Sequence, residues 1–177
     1  MPRLPATRTD LRRRRGLLAA SALLWAPRSQ ALEAARGKVV LSVTGLIDRS
    51  NTAQGVDFDM AMLEALPQHG FTTATPWFKA PRRFSGPLLR ELLATVGAGA
   101  AARMLYAVAL NNYKVEIPID DSSRYAVLLA TRLDGEPMSV RDKGPLFIVY
   151  PFDDSSELRS ERYYSRSAWQ LRRLEVR

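Results

Sequence analysis

The chain has 177 residues, no cysteine, one histidine and a net charge of +8. Without cysteine it has no disulfides, thiolate nucleophiles or thiolate metal ligands, and one histidine argues against a histidine-based metal site or a Ser-His-Asp triad. Seven of the 26 basic residues and one of the 18 acidic residues lie in residues 1–31, so the rest holds 19 basic and 17 acidic residues. This near balance argues against nucleic acid as a partner.

Residues 1–31 have the pattern of a signal peptide. Arg12 to Arg15 form a positively charged region, residues 16–26 are apolar, and Ser29-Gln30-Ala31 gives a small-x-small cleavage pattern. The apolar run is short for a membrane span. We therefore expect export to the periplasm, by the Sec or the twin-arginine route, leaving residues 32–177 as a single domain without membrane insertion. An uncleaved amphipathic anchor is the alternative.

Hydrophobic periodicity predicts many short strands and a few helices in the rest of the chain. In its first half, the prediction is a strand at 38–44, a helix at 60–66 capped by Asp59, a strand at 71–75 and a helix from Pro87 to Val96. In the second half, it is strands at 104–110, 113–117, 126–132, 146–150 and 168–176, a helical turn at 120–123, a hairpin at 133–136 and a long polar loop at 152–165. This mixture predicts an α+β domain.

Residues 76–84 alternate aromatic and cationic side chains in a segment stiffened by proline. A flat heteroaromatic ligand needs a stacking face and hydrogen-bond donors, and Trp77, Arg82 and Arg83 can supply both. The same pattern also fits a structural role, in which Trp77 and Phe84 cover the edge of the core and the arginines are solvated.

Residues 159–169 contain three Arg, two Tyr and one Trp. Such a segment can form an aromatic and guanidinium rim around an electron-rich ring or an anionic group. Its candidate ligand-binding residues are Tyr163, Tyr164, Ser165, Arg166 and Trp169. A charged loop with surface tyrosines is the alternative.

Several isolated polar residues have both a binding and a structural interpretation. Asn111 and Tyr113 can contact ring nitrogens and carbonyl groups, although Asn is also a common turn residue. Asp153 can accept two parallel N–H bonds from the amino-imine edge of a pterin. The pair Asp120-Asp121 is better explained by helix capping, and His69 by a turn.

The order of these segments resembles the molybdopterin-binding domain of the sulfite-oxidase-like oxidoreductases. The segments that carry the resemblance are 84–93, 113–119, 133–138 with 143–146, and 165–171, within about residues 38–176. It implies mixed β-sheets with a few short helices. It also places the family's molybdenum-ligating cysteine near Ala74 or Thr75, and Trp169 at a basic position that holds the cofactor phosphate.

A small, exported, cysteine-free form of this domain is similar to periplasmic pterin-binding regulators. That resemblance implies a protein that is not an enzyme and binds a reduced, tetrahydromonapterin-like pterin without molybdenum or a tightly bound cofactor. Its partner would be the periplasmic domain of a membrane cyclic-di-GMP synthase/phosphodiesterase. Two alternatives are a molybdopterin-dependent oxidoreductase with a non-Cys metal site and an interaction domain with a vestigial pocket.

Overall fold

The computed structural model describes residues 32–177, so the predicted signal peptide lies outside the described residues. In chain order the elements are β1 (Val39–Gly45), β2 (Val56–Asp59), α1 (Met60–Glu64), β3 (His69–Thr73), β4 (Arg82–Gly86), α2 (Leu89–Val96), β5 (Met104–Ala109), β6 (Lys114–Pro118), α3 (Ile119–Arg124), β7 (Leu128–Ala130), β8 (Arg132–Leu133), β9 (Glu136–Pro137), β10 (Phe147–Val149), α4 (Glu161–Arg166) and β11 (Leu171–Val176). Short 3-10 turns occupy Val140–Asp142 and Ser156–Leu158. None of the described helices has the length and apolarity needed to cross a bilayer.

The strands form three sheets, and the largest has five strands in the order β2-β1-β11-β5-β6. Within it β1 and β11 run parallel, and the other neighbours run antiparallel. A four-stranded sheet has the order β3-β4-β8-β9, and β10 pairs with β7. Mixed sheets with a few short helices confirm the predicted α+β fold.

Alternating burial explains how the five-stranded sheet covers the core. In β1, Leu41 and Val43 are fully buried, whereas Val40, Ser42 and Thr44, which alternate with them, are only partly buried. Successive side chains of a strand point to opposite faces, so one face of the sheet packs on the core and the other meets solvent.

The two longest predicted helices are present with shifted ends. Asp59 caps α1 as predicted, since its side chain accepts a hydrogen bond from the N–H of Met62 at 2.9 Å, but the helix ends at Glu64 instead of residue 66. In α2 the apolar stripe of Leu89, Leu92, Leu93 and Val96 is buried as expected. The helix begins at Leu89 rather than at Pro87, because the N–H of Leu88 donates to the Glu91 carboxylate at 3.1 Å and makes Leu88 the cap.

Several local predictions were wrong. Residues 82–86 form β4 instead of continuing the loop, because Phe84 and Gly86 are buried between β3 and β8. Residues 161–166 form α4 within the stretch predicted to be a loop. The strand β2 was not predicted, His69 begins β3 instead of lying in a turn, and the last strand begins at 171 instead of 168.

Candidate ligand-binding cleft

A cleft of about 360 Å³ opens between the segment after β3, the β5–β6 turn and α4. This volume lies within the usual range for small-molecule pockets. Its walls combine aromatic rings with amide, hydroxyl and carboxylate groups. The lining residues are Pro76, Trp77, Asn111, Tyr113, Glu161, Tyr164, Ser165, Ser167 and Trp169. The structure thus brings together six of the eleven predicted site residues, namely Trp77, Asn111, Tyr113, Tyr164, Ser165 and Trp169.

Trp77 lies at the centre of the aromatic wall. Its ring centroid is 5.4 Å from that of Phe147, 5.5 Å from that of Trp169 and 6.1 Å from that of Tyr164, all in edge-to-face contacts. Such pairs favour a fixed orientation of each ring. Trp77 therefore combines the two roles that the sequence left open, because it packs on the core and also lines the cleft.

The helix α4 carries Tyr164 and Ser165 into the cleft, and a buried ion pair holds its last residue. The Arg166 guanidinium donates to the Asp121 carboxylate at 2.8 Å. The hydroxyl of Tyr150 donates to the same oxygen at 2.7 Å. Burial, followed by the bond to Asp121, raises the pKa of Tyr150 far above its ordinary value. Arg166 therefore pairs with Asp121 of α3 and does not line the cleft.

Tyr163 also lies outside the cleft. Its side chain is 2 % exposed, and its hydroxyl donates to Glu157 at 3.0 Å. The hydroxyl of Tyr125 donates to the other Glu157 oxygen at 3.1 Å. These two bonds, from Tyr163 first, lower the pKa of Glu157. Tyr163 thus fixes α4 to the preceding loop while its neighbour Tyr164 faces the cleft.

The β5–β6 turn closes the cleft opposite the segment after β3. The hydroxyl of Tyr113 donates to the carbonyl of Ser165 at 2.9 Å, which ties the turn to α4. Within the turn, the side-chain oxygen of Asn111 accepts from the N–H of Tyr113 at 3.0 Å. Asn112 takes a left-handed conformation with φ of 63°. Asn111 therefore both shapes the turn and lines the cleft.

Lys143 is a neighbour of the cleft that the sequence analysis did not select. Its Nζ lies 4.3 Å from the centre of the Trp169 ring and 5.9 Å from that of Trp77. A cation at this distance from an indole face is attracted by the ring quadrupole. Burial lowers the pKa of Lys143. Lys143 precedes the cis Gly144-Pro145 bond. No local sequence pattern predicts that its side chain contacts these two rings.

Three other predicted residues make contacts elsewhere. Arg82 forms an ion pair with Asp134, and its guanidinium lies 5.3 Å from the Phe78 ring centre. The N–H of Arg83 donates to the same Asp134 at 2.9 Å. Asp153 accepts from the N–H of Ala74 at 2.8 Å. None of the three lines the cleft.

Glu161 supplies the carboxylate of the cleft in place of Asp153. It is the first residue of α4 and lies on the cleft wall with Tyr164 and Ser165. The sequence analysis did not select Glu161, because it predicts a loop for this segment. A helix at 161–166 places residues 161, 164 and 165 on one face, and that spacing is the signal that could have identified Glu161.

The residues present do not fit a molybdenum cofactor held by a protein thiolate. Ala74 and Thr75 occupy the stretch where the resemblance places the metal-ligating cysteine. No group of three or more His, Asp or Glu side chains within residues 32–177 is arranged to hold a metal ion. The cleft lining also contains no Arg or Lys to neutralise a phosphate.

The sequence and the fold both match known proteins. The family model described as "Oxidoreductase molybdopterin binding domain" matches residues 33–152. The chain therefore belongs to the oxidoreductase molybdopterin-binding domain family, as the resemblance implied.

A solved structure with a similar fold is the sulfane dehydrogenase SoxCD from Paracoccus pantotrophus. It aligns with a TM-score of 0.59 and 20% identity over 77% of this chain. The matched part is 37% of the SoxCD chain, so this protein spans well under half of that length. No curated protein matches the sequence.

Proposed function

We propose that this chain is a periplasmic pterin-binding protein that regulates a membrane cyclic-di-GMP synthase/phosphodiesterase and does no redox chemistry itself. The observation that carries the proposal is the cleft. The cleft has an aromatic wall, and the chain belongs to a family named for binding a pterin cofactor. The lining of the same cleft has neither a thiolate for molybdenum nor an Arg or Lys for the cofactor phosphate. A pterin without metal and without phosphate matches the aromatic and polar groups of this lining.

The cleft offers a pterin both stacking faces and hydrogen-bonding groups. Trp77, Tyr164 and Trp169 present ring surfaces to a flat bicyclic guest. The amide of Asn111 can contact its ring nitrogens and carbonyl group. The Glu161 carboxylate can accept two parallel N–H bonds from the amino-imine edge, the role that sequence analysis gave to Asp153.

The residues of the cleft support binding rather than catalysis. Glu161 is the one carboxylate of its lining, and no histidine or lysine lies beside it there. General acid–base chemistry uses a titratable group poised against a partner or a substrate proton, and the lining offers no second such group besides tyrosine hydroxyls. We therefore assign the protein a ligand-sensing role.

Tryptophan fluorescence tests the proposal directly, since Trp77 and Trp169 line the cleft. Tetrahydromonapterin, added anaerobically to the purified protein, should quench the emission in a saturable manner. Tyr164→Ala should weaken binding by about tenfold, in line with about 1–3 kcal/mol for stacking on one aromatic side chain. Tyr106→Ala, on β5 outside the cleft, is the matched control. Absence of saturable quenching at high micromolar pterin would overturn the proposal.

Family membership supports a second candidate, a molybdopterin-dependent oxidoreductase with a non-Cys metal site. Metal analysis of protein produced in a periplasm with an intact molybdenum-cofactor pathway separates the two. Stoichiometric molybdenum would favour the oxidoreductase.

A third alternative is an interaction domain with a vestigial cleft. It would be indicated if the output of the partner responded to pterin equally with the Tyr164→Ala variant and with the unmodified protein.

A further inference from the structure

A second cavity, of about 490 Å³, lies at one end of the five-stranded sheet. Its apolar lining includes Val39, Leu110 and Val140, and its cationic lining consists of Lys38, Arg172 and Arg173. We call this cavity the basic groove.

The apolar side chains of the basic groove are unusually open to solvent. Val39 is 43%, Leu110 47% and Val140 52% exposed, which makes them three of the five exposed large hydrophobic residues of the described chain. Scattered apolar side chains on a surface need no explanation, but several in one concave patch mark an interaction site.

The cations of the basic groove form no direct ion pair in the described part of the chain, although Arg173 also lines a neighbouring cavity with Asp57 and its charge helps to lower the pKa of Glu175. Among residues 32–177, none of the ion pairs includes Lys38, Arg172 or Arg173. Arg172 donates only to neutral groups, the Ala109 carbonyl at 3.1 Å and the Asn112 side chain at 2.8 Å. The lining itself contains no Asp or Glu. The lining therefore carries a net positive charge.

We infer that the basic groove docks an acidic segment of a partner protein that also carries apolar side chains. Apolar contacts in a groove provide burial, and cations at its sides select carboxylates. A second copy of this chain would bring the same three cations against themselves, which is unfavourable. A protein segment also fits a cavity lined by residues from both β1 and β11.

The basic groove shares a wall with the ligand-binding cleft. Leu110 of the groove adjoins Asn111 of the cleft, and Leu171 of the groove follows Trp169 of the cleft by two residues. Gln170 lies between Trp169 of the cleft and Leu171 of the groove and connects the two cavities. Its side chain donates to the Val140 carbonyl at 2.7 Å.

The backbone of Gln170 completes the connection. Its N–H donates to the Lys143 carbonyl at 2.9 Å, and its carbonyl accepts from the N–H of Leu110 at 2.9 Å. Because Lys143 also covers the Trp169 ring, we expect a guest that displaces this ring to shift the backbone beside the groove. This coupling rests on the proposed function, whereas the docking itself does not.

A labelled peptide tests the docking. The probe is a fluorescein-labelled peptide of three Glu-Leu-Asp-Ser repeats, and fluorescence polarisation with protein expressed from the full chain gives its affinity. Two control peptides replace either the acidic residues by lysine or the leucines by serine. We expect the acidic, leucine-containing peptide to bind at least about tenfold more tightly than either control.

Charge reversal locates the binding. Lys38→Glu combined with Arg173→Glu should lower peptide affinity at least about tenfold, while the matched variant Arg90→Glu, on the exposed side of α2, should change it less than about twofold. Circular dichroism confirms that the variants fold. Equal peptide affinity for the double variant and for Arg90→Glu would overturn the inference.

Two further measurements address other occupants of the groove. Stronger binding to phosphatidylglycerol vesicles than to the peptide, lost in the double variant, would assign the groove to a membrane surface and overturn the inference. A dimer in sedimentation that the double variant abolishes would do the same. Tetrahydromonapterin quenching on the same samples keeps the two proposals apart, because peptide binding without quenching removes only the pterin proposal and the coupling.

Discussion

Arg166 and Asp121, 45 residues apart in sequence, are joined by a hydrogen-bonded ion pair at 2.8 Å that links the end of α4 to α3. The Asp121 side chain is 5% exposed and that of Arg166 19%. A six-residue helix is too short to be stable alone. Long-range contacts at its end therefore hold Tyr164 and Ser165 on the cleft wall.

The Asp121–Arg166 pair should affect both stability and ligand binding. Asp121→Asn leaves the Arg166 guanidinium without its counter-ion, and we expect a loss of about 2–4 kcal/mol in the free energy of unfolding. Pterin affinity should fall as well, because α4 loses its anchor. Urea denaturation and fluorescence titration measure the two effects.

The matched control for this pair is Asp120→Asn. The two aspartates are adjacent in α3, but residue 120 is exposed and makes no ion pair within the described chain. Equal unfolding midpoints and equal pterin affinities for the two variants would show that the ion pair does not position α4.

Glu161 and Asp153 provide a test of which carboxylate meets the pterin. Glu161→Gln removes the acceptor charge from the cleft, so pterin affinity should fall about tenfold or more, as for a charged hydrogen bond worth about 1.5–3 kcal/mol. Asp153→Asn should change pterin affinity less than about twofold, because Asp153 lies outside the cleft. Calorimetric titration with tetrahydromonapterin measures both. The opposite order of effects would restore the role predicted for Asp153.

Much of the fold followed from local patterns, and the difference between success and failure is physical. The strand β1 and the helix α2 bury alternate or i, i+3/i+4 side chains, so their periodicity is visible in the sequence. The helix α4 buries only Tyr163. Its stability comes from partners at residues 121 and 157, which no local pattern reveals.

The same reasoning explains which site residues were found. Aromatic residues in segments interpreted as loops, such as Trp77 and Tyr164, stood out by composition and do line the cleft. Arginines stood out equally, yet Arg82 and Arg166 pair with Asp134 and Asp121. Whether an arginine binds a ligand or pairs with a distant carboxylate can be decided only from the folded structure. The same holds for Lys143, because its contacts with Trp77 and Trp169 join residues that are distant in sequence.

Lys143 should report on the Trp169 ring through its own titration. Burial lowers its pKa, so it should lose its proton below the ordinary lysine value of about 10.4. Deprotonation removes the cation from the indole face, which should shift the Trp169 indole N–H resonance in NMR spectra recorded at rising pH. Lys143→Met should abolish that titration, and Lys114→Met should leave it unchanged. A midpoint at or above the ordinary value would contradict the burial of Lys143.

Acidification should weaken the anchor of α4 through Glu157. Its pKa in the folded protein is lowered by the hydroxyls of Tyr163 and Tyr125, so it lies below the unfolded value of about 4.3. The stabilisation is therefore complete above that unfolded value and is lost as the pH falls through the lower, folded one. Urea midpoints should hold above about pH 5 and drop as the pH falls below the unfolded value, and Glu157→Gln should reduce the drop.

Glu116→Gln is the reference for the acidification experiment. Glu116 is exposed on β6 and receives no hydrogen bond from a tyrosine hydroxyl within the described chain. If both substitutions change the pH dependence equally, the two tyrosines do not control the titration of Glu157.

The position of β11 has a consequence for biosynthesis. This strand, the last one described, inserts between β1 and β5, so the middle of the main sheet comes from residues 171–176. A nascent chain that has not yet released those residues from the ribosome holds β1 and β5 without their shared neighbour. Assembly of this sheet must therefore wait until translation has nearly passed the domain, and a growing chain stays available to chaperones and targeting factors until then.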